Sequence, residues 1–351
     1  MNGFNLSNIQ DARLGGTQLS AIYLGSSKLW PLTPTIDYSQ EYLTIESLAD
    51  NNTIRWWLSD GNYGTNKTIE WSTDKTNWTS VTSHYTSPGR TITTLNTGDK
   101  IYLKGTNTQL ANSSAYCKFN TTGAYKVYGN IISLVNNGNF NNNPSISTYT
   151  FTGLFRDSSI TDVSNLILSV KSLPSYCYAN MFKGCSSLTT LPVLQATSLE
   201  DSCCRSMFDG CIITSIPNNY LPITTLANNC YREMFKNCTS LTSVPSNLLP
   251  ATTLKNDCYN QMFYSCSKLT TAPDLPATTL VSNCYYYMFR YCSKLNYVKA
   301  MFKTTPGSSY TSKWLQGVAS NGTFVKNSSA SWTGTGDSIV PSGWTVQYAS
   351  S

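Results

Sequence analysis

Charge is scarce in this chain of 351 residues. Asp, Glu, Lys and Arg together make up 12%, about half the usual share of a soluble domain. The 24 basic residues against 18 acidic ones leave a net charge of +6, but they are scattered singly. No continuous basic stripe is present, which argues against nucleic-acid binding. Histidine occurs once, at His84, in a stretch that reads as a loop before Ser87-Pro88-Gly89. A single histidine leaves little room for Ser-His-Asp or Cys-His catalysis. There is no glycine-rich phosphate loop and no Cys-x2-Cys metal signature. Long apolar runs are also missing, so no membrane-spanning helix is expected. The first eight residues lack a basic segment followed by an apolar core, so no export signal is expected there. These absences favour a protein that is not an enzyme, with no cofactor and no metal.

What is abundant is Asn, Ser, Thr and Tyr, a surface wetted by amides and hydroxyls. Within it the stretch from Tyr176 to Tyr297 repeats itself. The dipeptides Met181-Phe182, Met207-Phe208, Met234-Phe235, Met262-Phe263 and Met288-Phe289 lie 26, 27, 28 and 26 residues apart. Each sits in the frame Cys-x3-Met-Phe-x2-Cys. Most frames lead to a leucine (Leu188, Leu241, Leu269, Leu295) and then a proline (Pro192, Pro245, Pro273). Leu-Pro-Ala-Thr-Thr-Leu appears at Leu249–Leu254 and Leu275–Leu280, with a relative at Leu221–Leu226, and Leu154-Phe155 marks a degenerate earlier copy. Self-similarity at this period means a solenoid, whose units bury their apolar faces by stacking on neighbours.

Ten of the twelve cysteines form Cys-x7-Cys pairs. If the frame is helical, such a pair is about 12 Å apart along the axis, beyond the roughly 7 Å limit of a disulfide. Ladders of reduced core thiols are therefore the expectation. On the same helical reading the first Cys, Met-Phe and the second Cys share an inward face. The two-residue slots between them should face water. Those slots turn aromatic only in the last two units, at Tyr264, Tyr286, Tyr287 and Tyr291. Such a cluster suggests a contact surface, whose partner could be a glycan, a neighbouring subunit or the C-terminal segment.

The frames 230–238 and 258–266 resemble the leucine-rich repeats of the BspA-like type, found on surface proteins of gut and oral bacteria and in phage proteins. The resemblance covers roughly residues 151–298. It departs from the common pattern at Cys203-Cys204 and Ile212, which puts the packing of that unit in question. It implies an α/β solenoid of about six units, so the fold class expected is mainly β with an α/β solenoid.

Before the solenoid, residues 35–135 read as eight short strands. They are Tyr42–Ile45, Ile54–Leu58, Thr68–Trp71, Trp78–Val81, Thr91–Leu95, Lys100–Leu103, Cys117–Phe119 and Tyr125–Tyr128, parted by turns rich in Gly, Asn and Asp. That spacing favours an immunoglobulin-like β-sandwich. Trp71 and Trp78 flank a turn in it, either as core residues or as an exposed pair suited to sugar rings. Asparagine-rich residues open the solenoid domain, 136–302. Residues 303–351 carry Trp314, Trp332 and Trp344 and read as a small β cap.

Residues 1–34 are a separate segment, with glycine-punctuated alternation that suggests one or two short hairpins and a Pro31/Pro34 linker. This segment is similar to the short N-terminal piece of structural and fibre proteins of crAss-like gut phages. That resemblance implies docking to other virion proteins, capsid or tail, through Leu14, Leu19, Ile22, Tyr23, Leu24, Leu29 and Trp30. It further implies a phage virion structural protein, assembled in the host cytoplasm in multiple copies or as a homo-oligomer, that binds a bacterial surface glycan or protein. A bacterial cell-surface adhesin is the alternative.

Overall fold

A computed structural model describes residues 37–62, 64–140 and 146–349, with four short strands ahead of them. The chain divides into two compact units, Met1–Asp37 and Tyr38–Ser351. In the first, β1 (Arg13–Leu14) pairs with β2 (Thr17–Gln18), and β3 (Ile22–Leu24) with β4 (Ser27–Trp30), both antiparallel. These are the short hairpins expected. Of the candidate docking residues, Leu19 lies outside the described residues, and the others lie in these strands.

The second unit begins with all eight expected strands: β5 (Leu43–Ser47), β6 (Asn52–Leu58), β7 (Thr68–Ser72), β8 (Thr79–Thr82), β9 (Arg90–Leu95), β10 (Lys100–Lys104), β11 (Cys117–Thr121) and β12 (Tyr125–Asn130). They form two sheets, β12-β5-β10-β7-β8 and β11-β6-β9. Alternation decides what each strand buries. Asn52, Ile54, Trp56 and Leu58 of β6 point inward, as do Ile101 and Leu103 of β10. Trp56 is the core tryptophan, donating from Nε1 to the Lys67 carbonyl at 2.8 Å. Trp71 and Trp78, by contrast, are half-buried. Trp78 packs 5.0 Å from the Tyr42 ring, with Lys104 over its face at 4.3 Å, so it does not belong to a free sugar-stacking pair.

The strand β12 joins the two architectures. One edge pairs antiparallel with β5; the other pairs parallel with β13 (Ile160–Asp162) and β14 (Leu166–Leu168). A helix, α1 (Ser133–Asn136), lies between them in sequence. Beyond it the parallel ladder continues. The strands β15 (Ser172–Leu173) and β17 (Ser198–Leu199) pair, as do β14 and β16 (Val193–Leu194). Single bridges Ser215–Ser243 and Thr271–Tyr297 carry it on to β18 (Tyr297–Ala300), β19 (Gly322–Lys326) and β20 (Trp344–Tyr348). The last three are parallel and in register, so residues 303–349 extend the solenoid ladder. Trp314, Trp332 and Trp344 are all buried there.

The repeat frame corrects a central expectation. It is neither α-helix nor strand, and the solenoid of about seven turns is a β-solenoid, not an α/β one. In each frame the backbone visits the left-handed region every fourth residue: Tyr176, Asn180 and Gly184, then Ser202, Ser206 and Gly210, then Asn229, Glu233 and Asn237. The same lattice recurs at Asp257, Gln261 and Ser265 and at Asn283, Tyr287 and Tyr291. Amides then alternate in their use. Those of Cys177, Ala179, Met181, Lys183 and Cys185 bond carbonyls three residues back, at 3.1–3.2 Å. Those of Tyr178, Asn180, Phe182 and Gly184 bond carbonyls of the next coil, at 2.7–2.9 Å. Every donor of the run is thereby satisfied, as burial requires.

Four residues per turn, two inward and two outward, account for Cys-Tyr-x-x-Met-Phe-x-x-Cys better than a 3.6-residue period does. The inward pairs stack into columns. Phe155, Phe182, Phe208, Phe235, Phe263 and Phe289 lie 5.5–5.8 Å apart with ring planes within 1–9° of parallel. The second cysteine of each frame points its Sγ at a phenylalanine carbonyl of the preceding coil, at 3.0–3.2 Å. The tyrosine column (Tyr178, Tyr231, Tyr259, Tyr285) is broken at Cys204. Around that break the hydroxyls of Tyr178, Tyr220 and Tyr231 are buried without partners.

Because each ring of the phenylalanine column contacts both neighbours, removing one opens a cavity that the stacked coils cannot close. Phe208→Ala should cost roughly 3–5 kcal/mol, read as a fall in urea midpoint with an unchanged m-value. A loss below about 1 kcal/mol would show that the column is not a shared core.

Candidate contact surface

The turn-bearing face of the solenoid presents the outward residues of each frame. In its middle these residues satisfy one another. The Lys183 ammonium lies 3.0 Å from the Asp209 carboxylate, which also accepts from Asn237 Nδ2 at 2.8 Å. The Ser206 hydroxyl donates to Glu233 at 2.7 Å, and Lys236 Nζ donates to the Gln261 Oε1 at 3.1 Å. Burial alone would raise the Glu233 pKa, but the Ser206 hydroxyl and the cations Lys236, Arg205 and Arg232 outweigh it and hold the carboxyl below its ordinary value. Not every slot faces water as expected: Ala179, Ser206, Asp209 and Asn260 are buried. The middle of this face is a polar network, in which Arg232 Nε is nonetheless a buried donor without a hydrogen-bond partner.

Its C-terminal end is different. The structure brings Tyr264, Tyr286, Tyr287 and Tyr291 together around Arg290. Tyr286 and Tyr287 stack with ring centroids 3.9 Å apart. The Arg290 guanidinium sits 4.5 Å from the Tyr287 centroid and 4.6 Å from that of Tyr291, and donates to the Tyr291 hydroxyl at 2.8 Å. Tyr264 meets Tyr291 edge-on at 5.5 Å. The following coil packs beneath: a Cβ at Gly317 would lie 2.7 Å from the Tyr291 ring. It does not cover the cluster, since Tyr291 remains 42% exposed. Arg290 Nε is a buried donor without a hydrogen-bond partner. The sequence pattern missed Arg290, whose role follows only from its place between two tyrosine rings.

Tyr287 and Tyr291 occupy left-handed slots, with φ of 53° and 64°. A bulky residue there costs on the order of 1–3 kcal/mol. Equivalent slots in other coils hold Asn180, Ser206, Glu233 and Gln261 for Tyr287, and Gly184, Gly210, Asn237 and Ser265 for Tyr291, none of them aromatic. Tyrosine in these slots is therefore not what the backbone asks for. The same departure occurs at the opposite end of the face, at Tyr149 (φ 63°) and Tyr176 (φ 60°).

All twelve cysteines are buried free thiols. Burial pushes the Cys185 and Cys284 thiols up to about 11 and Cys117 to about 12, and the Cys211, Cys258 and Cys266 thiols well above their ordinary value. They remain protonated at neutral pH, which is wrong for a nucleophile or a metal ligand. Among the described residues no group of three His, Cys, Asp or Glu is arranged to hold a metal ion, and no helix is long and apolar enough to cross a membrane. His84 Nδ1 accepts from the Thr86 amide at 3.1 Å, and its ring stacks on Tyr85.

The chain matches no family model, no curated protein and no solved structure.

The raised thiols set a pH dependence. In the unfolded chain thiols ionise near about 8.5, whereas in the folded chain they stay neutral. The unfolded state therefore binds fewer protons above that pH, and stability falls as pH rises. Stability should be unaffected by the thiols below pH ~8.5 and decline toward pH ~11, with each thiol contributing up to roughly 1.4 kcal/mol per pH unit. Urea midpoints measured in excess reductant check this; a flat profile through pH ~11 would contradict thiol burial.

Proposed function

We propose that this protein is a non-enzymatic attachment scaffold, a structural protein of a phage virion with a head or tail decoration or fibre role. In this reading residues 1–34 dock on other virion proteins, the sandwich spaces the solenoid from the particle, and the solenoid offers its tyrosine-rich end to a bacterial surface glycan or protein. One observation carries it: four tyrosines and Arg290 converge on a half-buried patch in which Tyr291 is exposed, two of the tyrosines at backbone positions that disfavour tyrosine. The left-handed backbone recurs in every coil, so what sets these two slots apart is the tyrosine side chain itself. Tyrosine and arginine are also the residues that dominate binding hot spots. The separation of Met1–Asp37 as its own compact unit supports a distinct docking element. Several copies on one particle would raise weak contacts to useful avidity.

The finer architectural reading belongs with this proposal. The pairings β6–β9 and β7–β10 match the second-with-fifth and third-with-sixth pairings of an immunoglobulin-like sandwich. The first and seventh strands differ, since β5 lies beside β10 and β11 beside β6. The sandwich is thus a variant of that plan. The solenoid is a relative of the BspA-like leucine-rich repeats by its cysteine frame and leucine positions. An adhesin on a bacterial cell surface would use the same patch, and the low charge of the chain suits it equally.

Two measurements test the reading. A truncation starting at Thr35 should stay folded but no longer copurify with assembled particles that retain the full chain. Copurification of both forms would place docking elsewhere. Tyr286→Ala/Tyr287→Ala should weaken adhesion to bacterial cells about tenfold without moving the urea midpoint. Unchanged adhesion would remove the patch as the contact surface.

A further inference from the structure

The other pair of tyrosines in left-handed slots lines a cleft of about 380 Å³, where residues 112–116 of the sandwich meet the first two coils. That volume lies within the roughly 300–1,000 Å³ typical of small-ligand sites. Tyr149 and Tyr176 stack in parallel, ring centroids 4.7 Å apart and planes within 7°. Tyr116 forms another wall. It is held against the backbone at Gly153, where a Cβ would come 2.7 Å from the ring, and edge-on to Trp57 at 6.3 Å. The Arg156 guanidinium lies 5.7 Å from the Tyr116 centroid and its Nε 3.2 Å from an Asp157 oxygen. The hydroxyl of Ser114 and the amide of Asn180 complete the lining used here.

We propose that this cleft is a saccharide-binding site that takes one pyranose ring of a glycan. A pyranose has an apolar face of C–H groups, which packs on an aromatic ring, and a rim of hydroxyls, which bond amides, hydroxyls and guanidinium. The cleft offers that pairing. Rigid tyrosines supply amphipathic contact area at low conformational-entropy cost. A nucleotide is disfavoured because its phosphates need cations, and the lining holds only Arg156, already paired with Asp157. A purely apolar ligand is disfavoured by the Ser, Thr and Asn side chains of the rim.

Comparison of the coils supplies the argument against a merely structural role. The slot held by Tyr149 and Tyr176 carries Ser202, Asn229, Asp257 and Asn283 in the coils that follow. Those residues build the same turn and bond the same way across coils. Tyrosine is needed neither for the turn nor for the stack, and it occurs only in the two coils that border the cleft. The site is distinct from the patch around Arg290, and the two readings stand or fall separately.

The slot comparison also provides variants that keep the fold. Tyr149→Asn and Tyr176→Asn install a residue the turn accepts, so their urea midpoints should equal or exceed that of the parent. Saturation-transfer difference NMR on the full chain would use the methyl glycosides of glucose, galactose, mannose and N-acetylglucosamine. At least one should bind, with affinity on the order of 1 mM. Binding should weaken tenfold or more in Tyr149→Asn and Tyr176→Asn, and persist in Tyr286→Ala/Tyr287→Ala. Absence of transfer from all four sugars at about 10 mM, or binding that survives both asparagine variants, would overturn the proposal. Loss of binding only in the Tyr286/Tyr287 variant would also overturn it, and would assign saccharide recognition to the other end of the face.

Discussion

The alternation of backbone hydrogen bonds in the repeat frame is the constraint on which the solenoid depends. Each amide that turns back on its own chain leaves the next one free to reach the following coil. No backbone donor of the frame is left unpaired in an interior that excludes water, and leaving one unpaired would cost about 1–3 kcal/mol. The pattern requires a left-handed residue at every fourth position, at Tyr176, Asn180 and Gly184 and their equivalents. From this follow the two-in, two-out alternation of side chains and the pairing of Cys with Tyr and Met with Phe. The lateral registry that lets phenylalanine rings stack nearly parallel over six coils follows as well.

The columns explain why this chain keeps so many cysteines without using their chemistry. A thiol is small enough for the tight corner of the coil and can still donate weakly to a carbonyl. At the second cysteine of each frame it does so, bonding the phenylalanine carbonyl of the coil before. Burial then keeps the thiol protonated, which makes it a packing residue with one polar contact. Where the pattern lapses, at Cys204 in place of tyrosine, three buried phenols nearby have no hydrogen-bond partner, while the phenylalanine column beside them runs on undisturbed.

A scaffold this regular makes its irregularities informative. Its outward face has a self-paired middle built on Lys183, Asp209, Glu233 and Lys236, and aromatic ends. The ends are where tyrosine occupies slots that hold small or polar residues in the other coils. One end carries Tyr287 and Tyr291 against Arg290, and the other carries Tyr149 and Tyr176 beside a cleft. If both ends are contact sites, as proposed, they suit an extended partner better than either would alone, since each adds to the effective concentration at the other.

The sequence by itself determined the repeat, its period, the strands of the two sheets and the N-terminal hairpins, because apolar periodicity and turn residues are local signals. It also placed Tyr264, Tyr286, Tyr287 and Tyr291 on an outward face. It could not distinguish a helical frame from a run of four-residue turns. Cys, Met-Phe and Cys at steps of four and eight satisfy both, and only the alternation of hydrogen bonds between coils separates them. Tertiary structure alone joined sandwich to solenoid through β12, set Arg290 between two tyrosine rings, and brought Tyr116 across from Tyr149 and Tyr176. Those contacts span from one residue to about sixty in sequence but depend on how coils stack. Registry between neighbouring coils is a property of the assembled stack, not of any one segment.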